Sequence, residues 1–194
     1  MRCFTALQLP TNVRAHLEGV IDRLRPLRSL NDAISWTKPE NLHITLKFLG
    51  EIPDDRVADL ANAFRRLPFP PLTLTLDYFL VLPGQGPARV LAAHVTGDVK
   101  PLIHLFAQIE SASQPLGVSR EGRPFKPHVT LGRFRRPSNR MTAATLIRIV
   151  NPALLPSPTF TATAYTLFQS TLTPTGPIYA PLAQIPAAVD ASRA

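Results

Sequence analysis

Cysteine is nearly missing from this chain: Cys3 is the only one among 194 residues. An intramolecular disulfide is therefore impossible and a thiolate metal cluster cannot form, which leaves the thiol as a small apolar residue of a first strand. Long apolar runs are missing too. None approaches the roughly 20 residues that span a bilayer, and the opening MRCFTALQLP lacks the uninterrupted apolar core of a signal peptide, so the expectation is a cytoplasmic protein with no membrane partner. Long linkers are also absent, and 194 residues suit one globular unit, or two small lobes sharing a core. Acidic residues are scarce relative to basic ones, 13 against 21, a formal charge of +8 that favours polyanions by long-range steering. The arginines are dispersed in pairs such as Arg65-Arg66 and Arg135-Arg136, which suits a folded basic cleft better than a disordered nucleic-acid arm. With 45% hydrophobic and 18% charged residues, the chain has the composition of a packed soluble domain.

What is present reads as strands alternating with helices. RCFTALQLP is a first strand ended by proline. TNVRAHLEGVIDRLRPL then carries Val13, Leu17, Val20, Ile21 and Leu24 at helical spacing, with Thr11 as the expected N-cap. AISW and LHITLKFLG are strands, and PDDRVADLANAFRRL is a helix with Val57, Leu60, Ala61 and Phe64 on one face. PLTLTLDYFLVL alternates leucine and threonine with the period of a half-buried strand. ARVLAAHVT continues that sheet. A helix follows over PLIHLFAQIESAS, then a strand at FKPHVTLGRF and a weaker helix at SNRMTAATLIRIV. TFTATAYTLFQSTLT and PIYAPLAQI are the last two strands, and the order as a whole gives an α+β unit.

Within this pattern lies a weak repeat. His43-Ile44-Thr45-Leu46 and His128-Val129-Thr130-Leu131 share one pattern and stand 128 − 43 = 85 residues apart, close to half the chain. Residues i and i+2 of a strand face the same side, so each histidine stands beside its threonine, on the order of 6 to 7 Å along the strand. Ile44 and Val129 face the core. If the halves are related by an approximate two-fold axis, two imidazoles and two hydroxyls surround one small space.

In-line cleavage of a phosphodiester needs a base for the incoming oxygen and an acid for the departing one, on opposite sides of phosphorus. Two histidines near neutral pH supply both. The threonine hydroxyls suit the non-bridging oxygens, and Arg123, Lys126 or Arg133 could add charge. Zinc is the competing reading of the histidines, but neither motif brings a carboxylate, a cysteine or a second histidine at ligand spacing, so no metal or cofactor is expected. By strand parity Arg133 and Phe48 fall on the face opposite the histidines unless the strands bulge, which makes Arg133 the poorer cation and Phe48 a core residue. Trp36 also reads as core, Tyr78 as a residue that could stack on a base, and His94 and His104 as structural.

The sequence as a whole resembles the 2H phosphoesterase superfamily, named for two His-x-Thr-x motifs, and within it the bacterial and archaeal RNA 2′,3′-cyclic phosphodiesterases, historically called 2′-5′ RNA ligases. The resemblance runs through RCFTALQLP, WTKPENLHITLKFLGE, ARVLAAHV, RPFKPHVTLGRF and LFQSTLTPTGPIYAPL. It implies a single domain, residues 1–194, made of two interleaved lobes with pseudo-two-fold symmetry, two antiparallel sheets flanking a central cleft and helices outside. It further implies metal-free hydrolysis of the 2′,3′-cyclic phosphate ends of RNA to 2′-phosphomonoesters, with slow 2′-5′ joining by the reverse chemistry in some members. Carried over, His43 and His128 are the catalytic pair, His128 activating water and His43 protonating the leaving 3′ oxygen. Thr45 and Thr130 bind the phosphate, and Arg123 is a phosphate or RNA contact. Ser170 and Tyr179 match the closing pattern and support the lobe that carries the C-terminus. The same motifs would serve a small cyclic nucleotide or a 2′-5′ oligonucleotide, and a non-catalytic module holding RNA ends is the reading from another class. A monomer is assumed.

Overall fold

The structure is a computed structural model that describes residues 1–135, 142–151, 155 and 157–188. Arg136 and the start of the expected weak helix, 138–141, lie outside the described residues. The strands are β1 (Arg2–Gln8), β2 (Ile34–Trp36), β3 (His43–Glu51), β4 (Leu72–Leu82), β5 (Val90–Gly97), β6 (His128–Phe134), β7 (Phe160–Ala162), β8 (Ala164–Thr173) and β9 (Gly176–Pro186). The helices are α1 (Thr11–Leu24), α2 (Arg28–Asn31), α3 (Val57–Arg65), α4 (Val99–Ser113) and α5 (Ala143–Val150).

All strand pairs are antiparallel and run in the order β7-β4-β5-β6-β3-β1-β8-β9, with β2 added on β6. The order is a palindrome about the β6–β3 seam. The two sheets expected from the resemblance are thus two halves of one sheet, and the pairing that joins them is the single bridge of Ile44 to Val129. Both of these side chains are fully buried, as the period of two requires of residues flanked by the motif histidine and threonine.

The register repeats across the seam. In one half Gln8, Ala6 and Phe4 lie opposite His43, Thr45 and Phe48; in the other His94, Ala92 and Val90 lie opposite His128, Thr130 and Arg133. Each threonine therefore faces an alanine, which leaves the space above it open. The helices cover the face of the sheet that holds the core. α4 packs on α3, β3 and β4, α5 on β4, and α3 also meets β9. The stripe Val13, Leu17, Val20, Ile21 and Leu24 of α1 is buried as its spacing demands. Thr11 is not the N-cap of α1: Pro10 takes that place and its carbonyl accepts the N–H of Arg14 at 3.0 Å, since proline fixes the backbone bend one residue earlier.

The segment TFTATAYTLFQSTLT, expected as one strand, is cut at Thr163. β7 before it pairs with β4, and β8 after it pairs with β1 and β9. The chain passes from one half to the other at that residue. No helix among the described residues is long and apolar enough to cross a membrane.

Candidate active site

Antiparallel pairing of Ile44 with Val129 sets His43 opposite Thr130 and His128 opposite Thr45 in register, all four on the face away from the core. Each imidazole is set by a carbonyl two residues before it. His43 Nδ1 donates to the Asn41 carbonyl at 2.8 Å, and His128 Nδ1 donates to the Lys126 carbonyl at 2.6 Å. A carbonyl can only accept, so both rings carry their proton on Nδ1 and turn Nε2 outward as a free base. The Thr45 hydroxyl meets His43 Nε2 at 2.9 Å and, facing a lone pair, is the donor.

The two carbonyls are anchored differently. Asn41 ends a short turn at Pro39–Asn41 and its side-chain amide donates to the Pro177 carbonyl at 2.8 Å, which ties His43 to β9. Lys126 follows a loop tied to α4. Phe125 stacks on Phe106 with centroids 4.6 Å apart, and Glu110 accepts the backbone N–H of Glu121 at 3.1 Å. Glu110 is itself buried in an ion pair with Lys47 of β3, whose ammonium also donates to the Ser119 carbonyl at 3.0 Å.

Both motif strands bulge immediately after the motif. In β3 the ladder to β1 skips Leu46, and in β6 the ladder to β5 skips Leu131. A bulge reverses parity, so the two residues assigned by alternation to the far face come round to the histidine face. Phe48 is not core: it is 57% exposed, on the ring of Phe4, with centroids 6.1 Å apart. Arg133 is not turned away: its charge is felt by both histidines and by Tyr179 across the seam. Arg123 has its side chain 87% exposed and its guanidinium on Glu121 at 3.1 Å. Of the two, Arg133 is the cation whose charge reaches both motif histidines.

Burial is the main cause that pushes both histidines below their ordinary range. His43 falls to about 4, with the Asn41 bond pulling back and His128 and Arg133 pushing further down. His128 is lowered in the same way, with Arg133 and His94 as the repelling charges. Both rings thus hold a proton less readily than a free imidazole.

Beside His43 an aromatic wall encloses a pocket. Phe4, Phe168 and Tyr179 form it, with Tyr179 edge-on to the His43 ring at 5.4 Å and Phe4 at 5.1 Å. The cavity is about 240 Å³ and is completed by Gln8, Arg14 and Lys38 among others, so aromatic rings and two cations line one space. Tyr179, read from sequence as support, is part of the site itself. Sequence reasoning misses Phe4, although its even spacing from Ala6 and Gln8 along β1 is a signal that places it on the same face. Trp36 packs against the core as expected, and His104 is exposed on α4. Among the described residues no three His, Cys, Asp or Glu side chains gather in a metal-holding arrangement.

Comparison with known proteins identifies the family of the chain and its fold. The family model described as LigT-like phosphoesterase matches residues 7–92 and 97–179. The chain belongs to the LigT-like phosphoesterase family. Among curated members of that family, an RNA 2′,3′-cyclic phosphodiesterase of Methanocaldococcus jannaschii is 30% identical over 179 residues, covering 92% of this chain and 96% of the relative. One of Thermus thermophilus bearing the same name is 32% identical over 188 residues, covering 92% and 86%. Among solved LigT-like structures, a Thermus thermophilus protein superposes with a TM-score of 0.77 at 28% identity, covering 96% of this chain and 97% of that one. Escherichia coli LigT complexed with 3′-AMP gives 0.74 at 27% identity with the same coverage. The α+β architecture expected from sequence is the architecture of these LigT-like neighbours.

Proposed function

We propose that this phosphoesterase opens 2′,3′-cyclic phosphate ends of RNA to 2′-phosphomonoesters by acid-base catalysis between His43 and His128, without a metal. One observation carries the reading: two Nδ1-tethered imidazoles from opposite halves of the sheet, brought side by side on one face by the single bridge between their strands. The leaving 3′ oxygen belongs to the nucleoside, and the aromatic-walled pocket adjoins His43, so His43 is the acid. His128, on the other side of phosphorus, takes the proton of the attacking water. The hydroxyls of Thr45 and Thr130 and the Arg133 guanidinium hold the non-bridging oxygens, where negative charge must be stabilised in the transition state. The substrate also supplies what the free site lacks. A phosphate anion beside Arg133 and His43 offsets the causes that keep His43 neutral, and lets it load the proton that it later gives away.

RNA is the favoured substrate class because the chain carries a charge of +8 and because the relatives named above act on RNA by name. The same displacement, with a 5′-hydroxyl in place of water, would join that oxygen to the phosphate through a 2′-5′ bond. A small 2′,3′-cyclic nucleotide is the second reading, favoured by the aromatic-walled pocket beside His43. The test is an RNA oligonucleotide ending in a 2′,3′-cyclic phosphate, incubated in EDTA, with the product identified by phosphorus NMR. A 2′-phosphate that disappears in both His43→Ala and His128→Ala is the expected result. Turnover that stops in EDTA and returns with zinc or manganese would refute the metal-free mechanism.

A further inference from the structure

Hydrolysis needs a nucleoside on one side of phosphorus and only a water on the other. The His128 side of the cleft carries more than a water requires. His94 lies directly opposite His128 in the β5–β6 ladder, so the two rings stand on one face of the sheet about 5 Å apart at their base. Tyr78 lies flat on His94, with ring centroids 4.3 Å apart and planes 14° from parallel. It reaches that position because the ladder of β4 to β5 slips between Leu76 and Phe79, which turns two consecutive residues, Asp77 and Tyr78, outward from a strand that otherwise alternates. The tyrosine ends 49% exposed.

Two features separate this stack from ordinary packing. The Nδ1 atom of His94 is sealed from solvent without a hydrogen-bond partner, a cost that an apolar residue at the same place would avoid. The duplicated backbone does not explain it either, because the register-matched residue in the other half is Gln8. Neither ring is used by hydrolysis: acid, base, anion-binding groups and nucleoside pocket are complete without them.

We propose that the Tyr78–His94 stack is a second nucleoside platform, which holds by its base the nucleoside whose 5′-hydroxyl takes the place of water. This rests on the cyclic phosphodiesterase reading above. The 5′ oxygen bonds to phosphorus and its proton passes to His128. The bond from phosphorus to the 3′ oxygen breaks and His43 returns a proton to that oxygen. The product is a 2′-5′ phosphodiester with a free 3′-hydroxyl, and opening the strained ring drives the step without a cofactor. Stacking tolerates any base, so the platform selects a nucleoside acceptor rather than a sequence.

The experiment offers full-length protein 2′,3′-cyclic AMP together with either adenosine or methyl β-riboside as acceptor, and separates 2′-AMP from the 2′-5′ product by chromatography. Acceptor and water compete for one phosphorus atom, so the product ratio reports acceptor binding whatever fraction of a sample is active. Adenosine is expected to capture the phosphate about tenfold better than the riboside, Tyr78→Ala to erase that advantage, and Tyr78→Trp to keep it. Equal capture of the two acceptors by the unaltered protein, no capture at all beside normal hydrolysis, or an unchanged ratio in Tyr78→Ala would overturn the proposal. A loss that appears instead in the KM for cyclic AMP would overturn it too, by giving the platform to the other nucleoside. Failure of water and alcohol alike to open the ring would bring down the phosphodiesterase reading itself, and the platform's role with it.

Discussion

β3 and β6 carry the same motif, the same carbonyl behind the imidazole and the same bulge, and then they part company. Past the bulge β3 has Lys47 and Phe48 where β6 has Gly132 and Arg133. The inward residue of each pair faces a different neighbour. Lys47 runs into the core to meet Glu110 of α4, both less than a tenth exposed. Gly132 leaves room for β2: a Cβ there would stand 2.4 Å from Ile34 Cγ2 and 3.2 Å from the Trp36 ring. The outward residue differs in chemistry. One half offers an exposed ring and the other a guanidinium, so a symmetrical backbone presents unlike side chains at matched positions.

The sharpest way to break this comparison is to remove the parts that match. His43→Ala and His128→Ala should each lower kcat by about 10²- to 10⁴-fold in single-turnover assays on a cyclic-phosphate RNA end. A double variant no slower than the worse single one would show that the two act as a unit. Next come the parts that differ. Lys47→Met strands the Glu110 carboxylate in the core and should cost about 3 to 5 kcal/mol in urea unfolding, while Gly132→Ala, which overpacks β2, should cost about 1 to 3. Equal losses would mean that the two inward slots are not solved in the different ways described. Arg133→Gln should lower kcat by about 10²-fold, whereas Phe48→Ala should raise KM by about tenfold with kcat little altered. The double exchange of Phe48 and Arg133 tests whether ring and charge can trade places.

The smallest effect concerns pH. His43 is held at about 4 in the folded protein against an ordinary 6.5. The unfolded chain therefore binds the proton first, and stability falls as pH drops from 6.5 toward 4, by at most about 1.4 kcal/mol per pH unit for that ring, and is level above. His128 is lowered in the same direction. The Tm should be lower at about pH 5.5 than at about pH 7.5, and the difference should shrink more in His43→Asn than in His128→Asn if His43 carries the larger part.

Much of this is legible in the chain itself. Period-two alternation gives β4 as far as Leu76, and the spacing of 85 finds both histidines and their threonines. What strand parity misses is the pair of bulges. Their trace is in the burial pattern: Ile44 to Leu46 is a step of two, but Leu46 to the next buried apolar residue, Leu49, is a step of three, as is Leu131 to the half-buried Phe134, while in the sequence alone Phe48, apolar and two past Leu46, hides it. A step of three inside a strand means an inserted residue, and here it moves Phe48 and Arg133 onto the working face. The cut at Thr163 leaves no such mark, because the segments on either side both read as strand and only their partners differ. Arg123 stands near the second motif in sequence, but nearness along an exposed loop does not fix where a guanidinium points.

The palindrome of strands has one more consequence, and it concerns the order of manufacture. The half made of β6, β5, β4 and β7 lies in one stretch of chain, 72–162, and can be assembled from what has just been synthesised. The half that holds His43 pairs β1 and β3, from the first 51 residues, with β8 and β9, from residues 164–186. Its contacts span nearly the whole sequence, the kind of pairing that forms slowly. On the ribosome the first histidine emerges early, yet its half of the sheet is the last to close.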